Sequence, residues 1–187
     1  MTNLLHRFRA GTGKLGWNHP SATNVPETIT VSSPAFSEGG PIPSRHAGTG
    51  VGDNISPPLN WDNIPPGARE LVLLVEDPDA PLPRPFVHCV VTNIATDTSG
   101  IEAGALSVPA DGPQAPFTIG KASMGKTGYL GPAPIRGHGP HRYIFQLFAL
   151  DKTVDLARHR VTKRRVLKAI SGHVIARGQL TGTYEQA

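Results

Sequence analysis

The sequence predicts one compact, mainly β domain with many ordered loops and a helix near its C-terminus. Of the 187 residues, 21 are glycine and 19 are proline, and both residue types interrupt regular helices. This content argues against a helical bundle, a coiled coil and most repeat arrays. Hydrophobic residues make up 38% of the chain and charged residues 17%, so a core can form and a disordered, highly charged chain is excluded.

The apolar pattern predicts five strands. The first spans residues 27–31, where apolar side chains alternate with threonine. The stretches 69–76 and 86–94 are almost continuously apolar, which indicates strands that are buried on both faces. A fourth strand spans 141–150, and residues 179–184 form a short last strand.

A helix is predicted between the last two strands. Thr162 is a suitable N-cap, apolar residues recur at helical spacing up to Val174, and Gly178 can end the helix. Residues 152–177 hold eight Lys/Arg and one acid, whereas the rest of the chain holds ten Lys/Arg and thirteen acids. Basic charge in this pattern is typical of a solvated helix face or of a nucleic-acid patch. Because no aromatic residues interleave the basic ones, the solvated face is favoured and no nucleic-acid partner is expected.

The sequence predicts a single domain that is preceded by an N-terminal extension. Residues 1–26 resemble an irregular, flexible N-terminal extension, and residues 27–187 form the single domain. The longest central apolar run, residues 71–75, is far shorter than the ~20 residues of a membrane helix, so no transmembrane segment is expected. The single cysteine, Cys89, has no intramolecular partner, which is typical of a reducing compartment and favours a cytoplasmic location.

Two nucleotide-binding patterns occur in contexts that do not suit them. Residues 120–127 match the phosphate-loop pattern, but the glycines and prolines that follow prevent the helix that this site requires. Residues 11–16 match a dinucleotide pattern, but no buried strand precedes them. Cys89 and the neighbouring His88 point to opposite faces of a strand, so they do not form a nucleophile–base pair. No cofactor is therefore predicted.

Polar residues at the ends of the buried strands form the candidate site. Neighbouring strands can bring Asp77, Asp79, His88, His141 and Tyr143 around one cavity. Imidazole N–H groups and glycine-rich backbone suit a small anion, and a carboxylate beside a histidine fixes its tautomer. From the residues alone, the opposite interpretation is equally open: the aspartates are turn residues and the histidines belong to the core.

The same segments resemble the phosphatidylethanolamine-binding protein family, in particular its bacterial, Raf-kinase-inhibitor-like branch. The motifs that carry this resemblance are Asp77-Pro-Asp-Ala-Pro81, His88 with Val90-Val-Thr-Asn-Ile94, and Gly131-Pro-Ala-Pro134 through His141-Arg-Tyr143. The resemblance implies a large central antiparallel sheet, a smaller second sheet and a C-terminal helix. It also implies a pocket for phosphate, a carboxylate or a phospholipid head group. The residues that match the family's pocket positions are Asp77, Asp79, Pro81, His88, Gly131, His141 and Tyr143.

The resemblance favours a non-enzymatic binding or regulatory protein without a metal site. Family members inhibit kinases or proteases, so a protein partner of either class is an expectation, and a homodimer is open. The alternative is an enzyme that uses His88 or His141 as a general acid or base on a small phosphoester or carbonyl compound, with Asp77 orienting the imidazole. Ile135, Cys89 and Phe86 depart from the residues that are common at their positions in the family, which leaves the identity of the ligand open.

Overall fold

Two antiparallel sheets and one helix make up the fold of the computed structural model, which describes residues 8–107 and 116–186. The large sheet has five strands in the order β6-β4-β3-β7-β8, and the small sheet has three in the order β1-β2-β5. The predicted fold class is thereby confirmed. The bounds are β1 Thr30–Ser32, β2 Leu59–Asp62, β3 Glu70–Asp77, β4 Phe86–Ile94, β5 Gly100–Ile101, β6 Thr118–Ile119, β7 His141–Leu150, α1 Lys163–Ala169 and β8 Val174–Tyr184.

The three central strands of the large sheet are those with the strongest apolar runs. The strands predicted at 86–94 and 141–150 have these bounds in the structure, and the one predicted at 69–76 is displaced by one residue. Strand β3 pairs with β4 on one side and β7 on the other, so that Leu74 lies between Val90 and Gln146. All eight residues of β3 are buried, so both of its faces are covered, which explains its continuous apolar sequence.

The large sheet is buried on both of its faces. One face packs against the small sheet, and this core includes Trp61, Leu73 and Phe145. The opposite face is covered by the N-terminal segment and α1, which contribute Trp17 and Val166 among others. A hydrophobic core therefore covers each face of the large sheet. The candidate site lies at one end of the central strands.

The C-terminal helix is shorter than predicted and the last strand is longer. Helix α1 begins after Thr162, whose side-chain oxygen accepts from the Arg165 amide at 3.4 Å, and it ends at Ala169. Gly172, with φ of 78°, turns the chain into β8. Contrary to the prediction, Gly178 does not end the helix but lies inside β8. Glycine is required there because a Cβ would be 2.1 Å from the carbonyl oxygen of Ile29. The first strand is likewise shifted, to Thr30–Ser32.

The N-terminal segment packs against the sheet, in contrast to the flexible extension that we expected. Leu15 and Trp17 are buried, and the Arg177 guanidinium lies 3.9 Å from the centre of the Trp17 ring. Arg177 also donates to the carbonyl oxygens of Trp17 and Ala22, at 2.8 and 2.7 Å. Burial of the Trp17 side chain offsets part of the entropy that is lost by ordering this segment. Residues 1–7 of the predicted extension lie outside the described part of the chain.

The two edges of the large sheet are short or covered. The Gly39 amide donates to the Thr181 carbonyl at 2.8 Å, and the Ile42 amide donates to the Thr183 carbonyl at 2.7 Å, along the outer side of β8. At the opposite edge, β6 has only two residues. Among the described residues, no helix is long and apolar enough to span a bilayer.

Candidate functional site

A cavity of about 400 Å³ opens where β3 ends and where β4 and β7 begin. Antiparallel pairing brings these three strand ends together, since Asp77 pairs with Phe86 and Glu76 pairs with Ile144. Six of the seven site residues expected from the sequence contribute to the cavity wall. They are Asp77, Pro81, His88, Gly131, His141 and Tyr143.

Both oxygens of the Asp77 carboxylate have protein partners. Its Oδ1 accepts from the amides of Asp79 and Ala80, at 2.7 and 3.0 Å. Its Oδ2 lies 2.7 Å from Nδ1 of His141. These contacts close the turn after β3 and fix the orientation of the His141 ring. Three protein groups therefore hold Asp77 in the cavity wall, two on Oδ1 and one on Oδ2.

A third histidine, which the sequence reasoning did not single out, extends this chain of contacts. Nε2 of His141 lies 2.6 Å from Nδ1 of His138, and both side chains are buried. Both ring nitrogens of His141 therefore have protein partners. The only signal in the sequence was the position of His138 three residues before His141, within the glycine-rich approach to β7.

His88 differs from His141 in having one ring nitrogen that no described residue contacts through a hydrogen bond. Its Nδ1 donates to the carbonyl oxygen of Leu130, because a carbonyl can only accept. In the neutral ring Nε2 is then an acceptor, and this buried atom has no hydrogen-bond partner among the described residues. Burial lowers the pKa of His88, which the Leu130 contact and the charge of Asp77 only partly oppose. The rings of Phe86 and Tyr143 flank it, with centroids 4.8 and 5.0 Å away.

Asp79 lies behind the cavity wall and does not line it. Its carboxylate accepts from Nε and Nη2 of Arg142, each at 2.8 Å, and from the Arg142 amide at 2.9 Å. Burial alone would raise the pKa of Asp79, but the Arg142 hydrogen bonds outweigh it and hold the pKa below its usual value. In the structure, this expected site residue therefore holds the beginning of β7 in place through Arg142.

Gly131 lines the cavity, but its amide is not presented to a ligand. The amide donates to Oδ1 of Asn54 at 2.8 Å. A Cβ at this position would be 2.4 Å from the carbonyl oxygen of His46, so glycine is required by the close approach of residues 46–48. The expected role of glycine-rich backbone as a set of inward-facing amides does not hold at this residue.

The mouth of the cavity contains one cation and several exposed apolar side chains. Lys126 lines the wall, and Met124 is 73% exposed with φ of 58°, a conformation that is unfavourable for this residue type. Leu82 and Ile135 are also exposed at the rim. Residues 120–127 match a phosphate loop in sequence only, and the structure places Met124 and Lys126 of this segment in the wall of the cavity.

The remaining reactive side chains are poor nucleophiles. Burial raises the pKa of Cys89 to about 12, and Cys89 is absent from the residues that form the cavity wall. Burial also raises the pKa of Tyr143 well above its usual range. Within residues 8–107 and 116–186, no three His, Cys, Asp or Glu side chains converge as a set of metal ligands.

Comparison with known proteins identifies the family. The family model described as phosphatidylethanolamine-binding protein matches residues 32–185. The chain belongs to this family. A UPF0098 protein of Methanothermobacter thermautotrophicus is 40% identical over 159 residues, which cover 84% of this chain and 99% of the relative. A Mycobacterium tuberculosis relative named "Putative lipoprotein LppC" is 36% identical over 174 residues, covering 89% of this chain and 81% of the relative.

Solved structures of the phosphatidylethanolamine-binding protein family have the same fold. CT736 of Chlamydia trachomatis is 35% identical with a TM-score of 0.75, and the match covers 86% of this chain and 99% of that one. YbcL of Escherichia coli is 27% identical with a TM-score of 0.78, at the same coverage. The family match begins at residue 32, after the segment that packs on the second face of the sheet.

Proposed function

We propose that the protein binds a small anion in this cavity and acts by binding, without catalysing a reaction. The anion is a phosphate, a carboxylate or a phospholipid head group. The observation that carries the proposal is the buried Nε2 of His88, which has no partner among the described residues although buried polar atoms normally have one. A protonated imidazole at this point donates a charge-assisted hydrogen bond to an anion.

The charges around the cavity favour an anion over a cation. Lys126 contributes a positive charge to the wall. The nearest carboxylate, Asp77, is already satisfied by two amides and by His141, so it does not compete for the His88 proton through a direct contact. The second carboxylate, Asp79, is paired with Arg142 behind the wall.

The size and lining of the cavity favour an anion that is attached to a small organic group. Its volume of about 400 Å³ falls within the range of small-molecule sites and exceeds the need of a bare phosphate ion. Phe86, Leu82 and Ile135 supply apolar surface near the mouth. A head group with a few carbon atoms would therefore contact both parts of the wall.

Calorimetric titration with inorganic phosphate, acetate and phosphoethanolamine tests the proposal. We expect a His88→Ala, His141→Ala double variant to bind these anions about 10- to 100-fold more weakly, since a hydrogen bond to a charged group contributes about 1.5–3 kcal/mol. A matched control is His173→Ala, because His173 is a half-exposed histidine paired with Asp151 at the far end of β7. Unchanged affinity in the double variant, or no binding by the wild-type protein, would contradict the proposal.

The contact between Asp77 and His141 favours a second candidate, an acid–base enzyme acting on a small phosphoester or carbonyl compound. A carboxylate 2.7 Å from Nδ1 is the arrangement that orients a general base. Against it, Nε2 of His141 is engaged by His138. Turnover of a phosphoester panel that disappears in His141→Ala would establish the enzyme, whereas binding without turnover over a range of pH and metal ions would favour the binding protein.

A regulatory role follows if a phosphorylated or carboxyl-bearing segment of a partner protein occupies the cavity. Kinases and proteases are the partner classes suggested by the family resemblance. In that case saturating phosphate releases the partner, and the double histidine variant fails to bind it.

A cytoplasmic location is proposed because Cys89 is the single cysteine and is buried. Cell fractionation tests it. Recovery in the membrane fraction would contradict it and would agree with the name "Putative lipoprotein LppC" of one relative.

A further inference from the structure

The segment of residues 9–17, which we call the N-terminal strap, runs along the turn that forms one side of the cavity. The Ala10 amide donates to the Ala80 carbonyl at 3.0 Å, and the Gly11 amide donates to the Pro78 carbonyl at 2.8 Å. Nζ of Lys14 donates to the Pro83 carbonyl at 2.9 Å. The strap is therefore bonded along the whole turn that begins at the cavity residue Asp77.

The far end of the strap is fixed to the large sheet. The Gly16 amide donates to a carboxylate oxygen of the buried Glu76 at 2.7 Å, and the Trp17 amide donates to Oε1 of Gln146 at 2.6 Å. A Cβ at Gly16 would be 2.6 Å from Cδ1 of Leu74, so the backbone lies directly on the sheet. From α1, Nζ of Lys163 donates to the Lys14 carbonyl at 2.7 Å.

Arg9 joins two loops that carry different cavity residues. Its Nη1 lies 3.5 Å from Oδ1 of Asp79, in the turn after β3. Its Nη2 donates to the carbonyl oxygen of His138 at 3.1 Å, in the loop before β7. The first loop carries Asp77 and the second precedes His141, and these two side chains are hydrogen bonded in the cavity wall.

Arg9 also adds positive charge near the neighbouring carboxylates of Asp77 and Asp79. Asp79 is 4% exposed and is paired with Arg142, and Arg9 is its second cation. Arg9 is not among the residues that form the cavity wall. It can therefore influence a bound anion through the loops and through the local field, without touching the ligand.

We propose that the N-terminal strap positions the anion cavity, and that Arg9 is a positioning residue that holds the turn after β3 to the loop before β7. The proposal rests on anion binding in the cavity. The strap precedes residue 32, where the family match begins, so this support is supplied by a part of the chain outside the matched region. In this protein the geometry of the cavity depends on a segment distant in sequence from every residue of its wall.

The test compares Arg9→Met, which removes both contacts, with Arg9→Lys, which keeps the charge but cannot make two separated contacts in the same way. Arg164→Met, on the exposed side of α1, is the matched control. We expect Arg9→Met to weaken the binding of inorganic sulfate about threefold at low salt, Arg9→Lys to recover part of this loss, and the control to bind as the wild type does. The difference between Met and Lys should shrink at high salt.

Hydrogen exchange separates this proposal from the proposed function. The amides of Asp79 and Ala80, which donate to Asp77, should exchange faster in Arg9→Met, while amides in the middle of β7 keep their protection. Wild-type affinity together with wild-type exchange in Arg9→Met would overturn the role of the strap and leave anion binding intact. If the wild-type protein binds no anion, the proposed function fails, and the exchange rates still decide whether Arg9 holds the turn.

Discussion

Nε2 of His88, which has no hydrogen-bond partner in the described part of the chain, makes anion binding dependent on pH. Because Nδ1 donates to Leu130 and burial lowers the pKa of the ring, the free protein holds His88 neutral near pH 7. An anion beside Nε2 stabilises the charged ring and so raises its pKa. Binding of an anion is therefore expected to take up a proton, and affinity should rise as pH falls.

The expected change of anion affinity per pH unit follows from the number of ring nitrogens that can accept this proton. His88 has one, whereas both nitrogens of His141 already have partners. Between the pKa of the free ring and that of the complex, uptake of one proton strengthens binding about tenfold per pH unit, or about 1.4 kcal/mol. Of the other groups that face the ring, Asp77 favours the proton and His141 disfavours it, and burial moves the pKa of Tyr143 far from this range.

Calorimetry with sodium sulfate measures this slope between pH 6 and 8, because sulfate itself carries no exchangeable proton in that range. Titrations in two buffers with different ionisation enthalpies give the number of protons directly. The informative variant is His88→Gln, whose amide donates without being protonated, so its affinity should be nearly independent of pH. A slope near zero in the wild type, a slope near two, or a full slope that persists in His88→Gln would each refute the reasoning.

Three further expectations concern the framework around the site. Cys89 should resist alkylation at pH 8 in the native protein and react once it is unfolded, since its pKa is raised to about 12 by burial. Lys163→Met should lower the free energy of unfolding by about 3 kcal/mol in denaturant melts, because the buried carboxylate of Glu76 loses its cation, and adding Glu76→Gln should restore part of it. Gly131→Ala should reduce both anion affinity and thermal stability, because its Cβ would meet the carbonyl of His46; an unchanged melting temperature would contradict this account.

The central strands could be predicted from the sequence because their apolar runs are bounded by prolines, glycines and polar turns. The C-terminal region shows where this reasoning fails. Val174 fits the helical spacing of Ile170, but Gly172 reverses the chain between them. The pattern predicts that Gly178 ends the helix, whereas Gly178 is a strand residue whose missing side chain makes room for Ile29. Local patterns do not reveal a glycine that is required by a distant segment.

From the residues alone, the candidate site could be predicted where strand ends supply its members, whereas Pro81 and Gly131 lie in loops and are expected only from the family resemblance. Asp77, His88 and His141 follow from strand order alone. Asn54 comes from a loop whose position depends on tertiary packing, so no local pattern places it in the cavity wall. The strap shows the same limit, since Leu15 and Trp17 are isolated large apolar residues in a segment otherwise rich in glycine and polar residues.

The covered edge of β8 and the brevity of β6 bear on how copies of this chain meet in concentrated solution. An open strand edge is a template onto which another polypeptide can add, and that is a route to fibrils and precipitates. Here residues 39–42 occupy hydrogen-bonding positions along the outer side of β8, and β6 offers only Thr118 and Ile119. Continuous backbone pairing from one copy to the next through the edges of the large sheet is therefore disfavoured, and a homodimer that uses this sheet would have to meet through side chains.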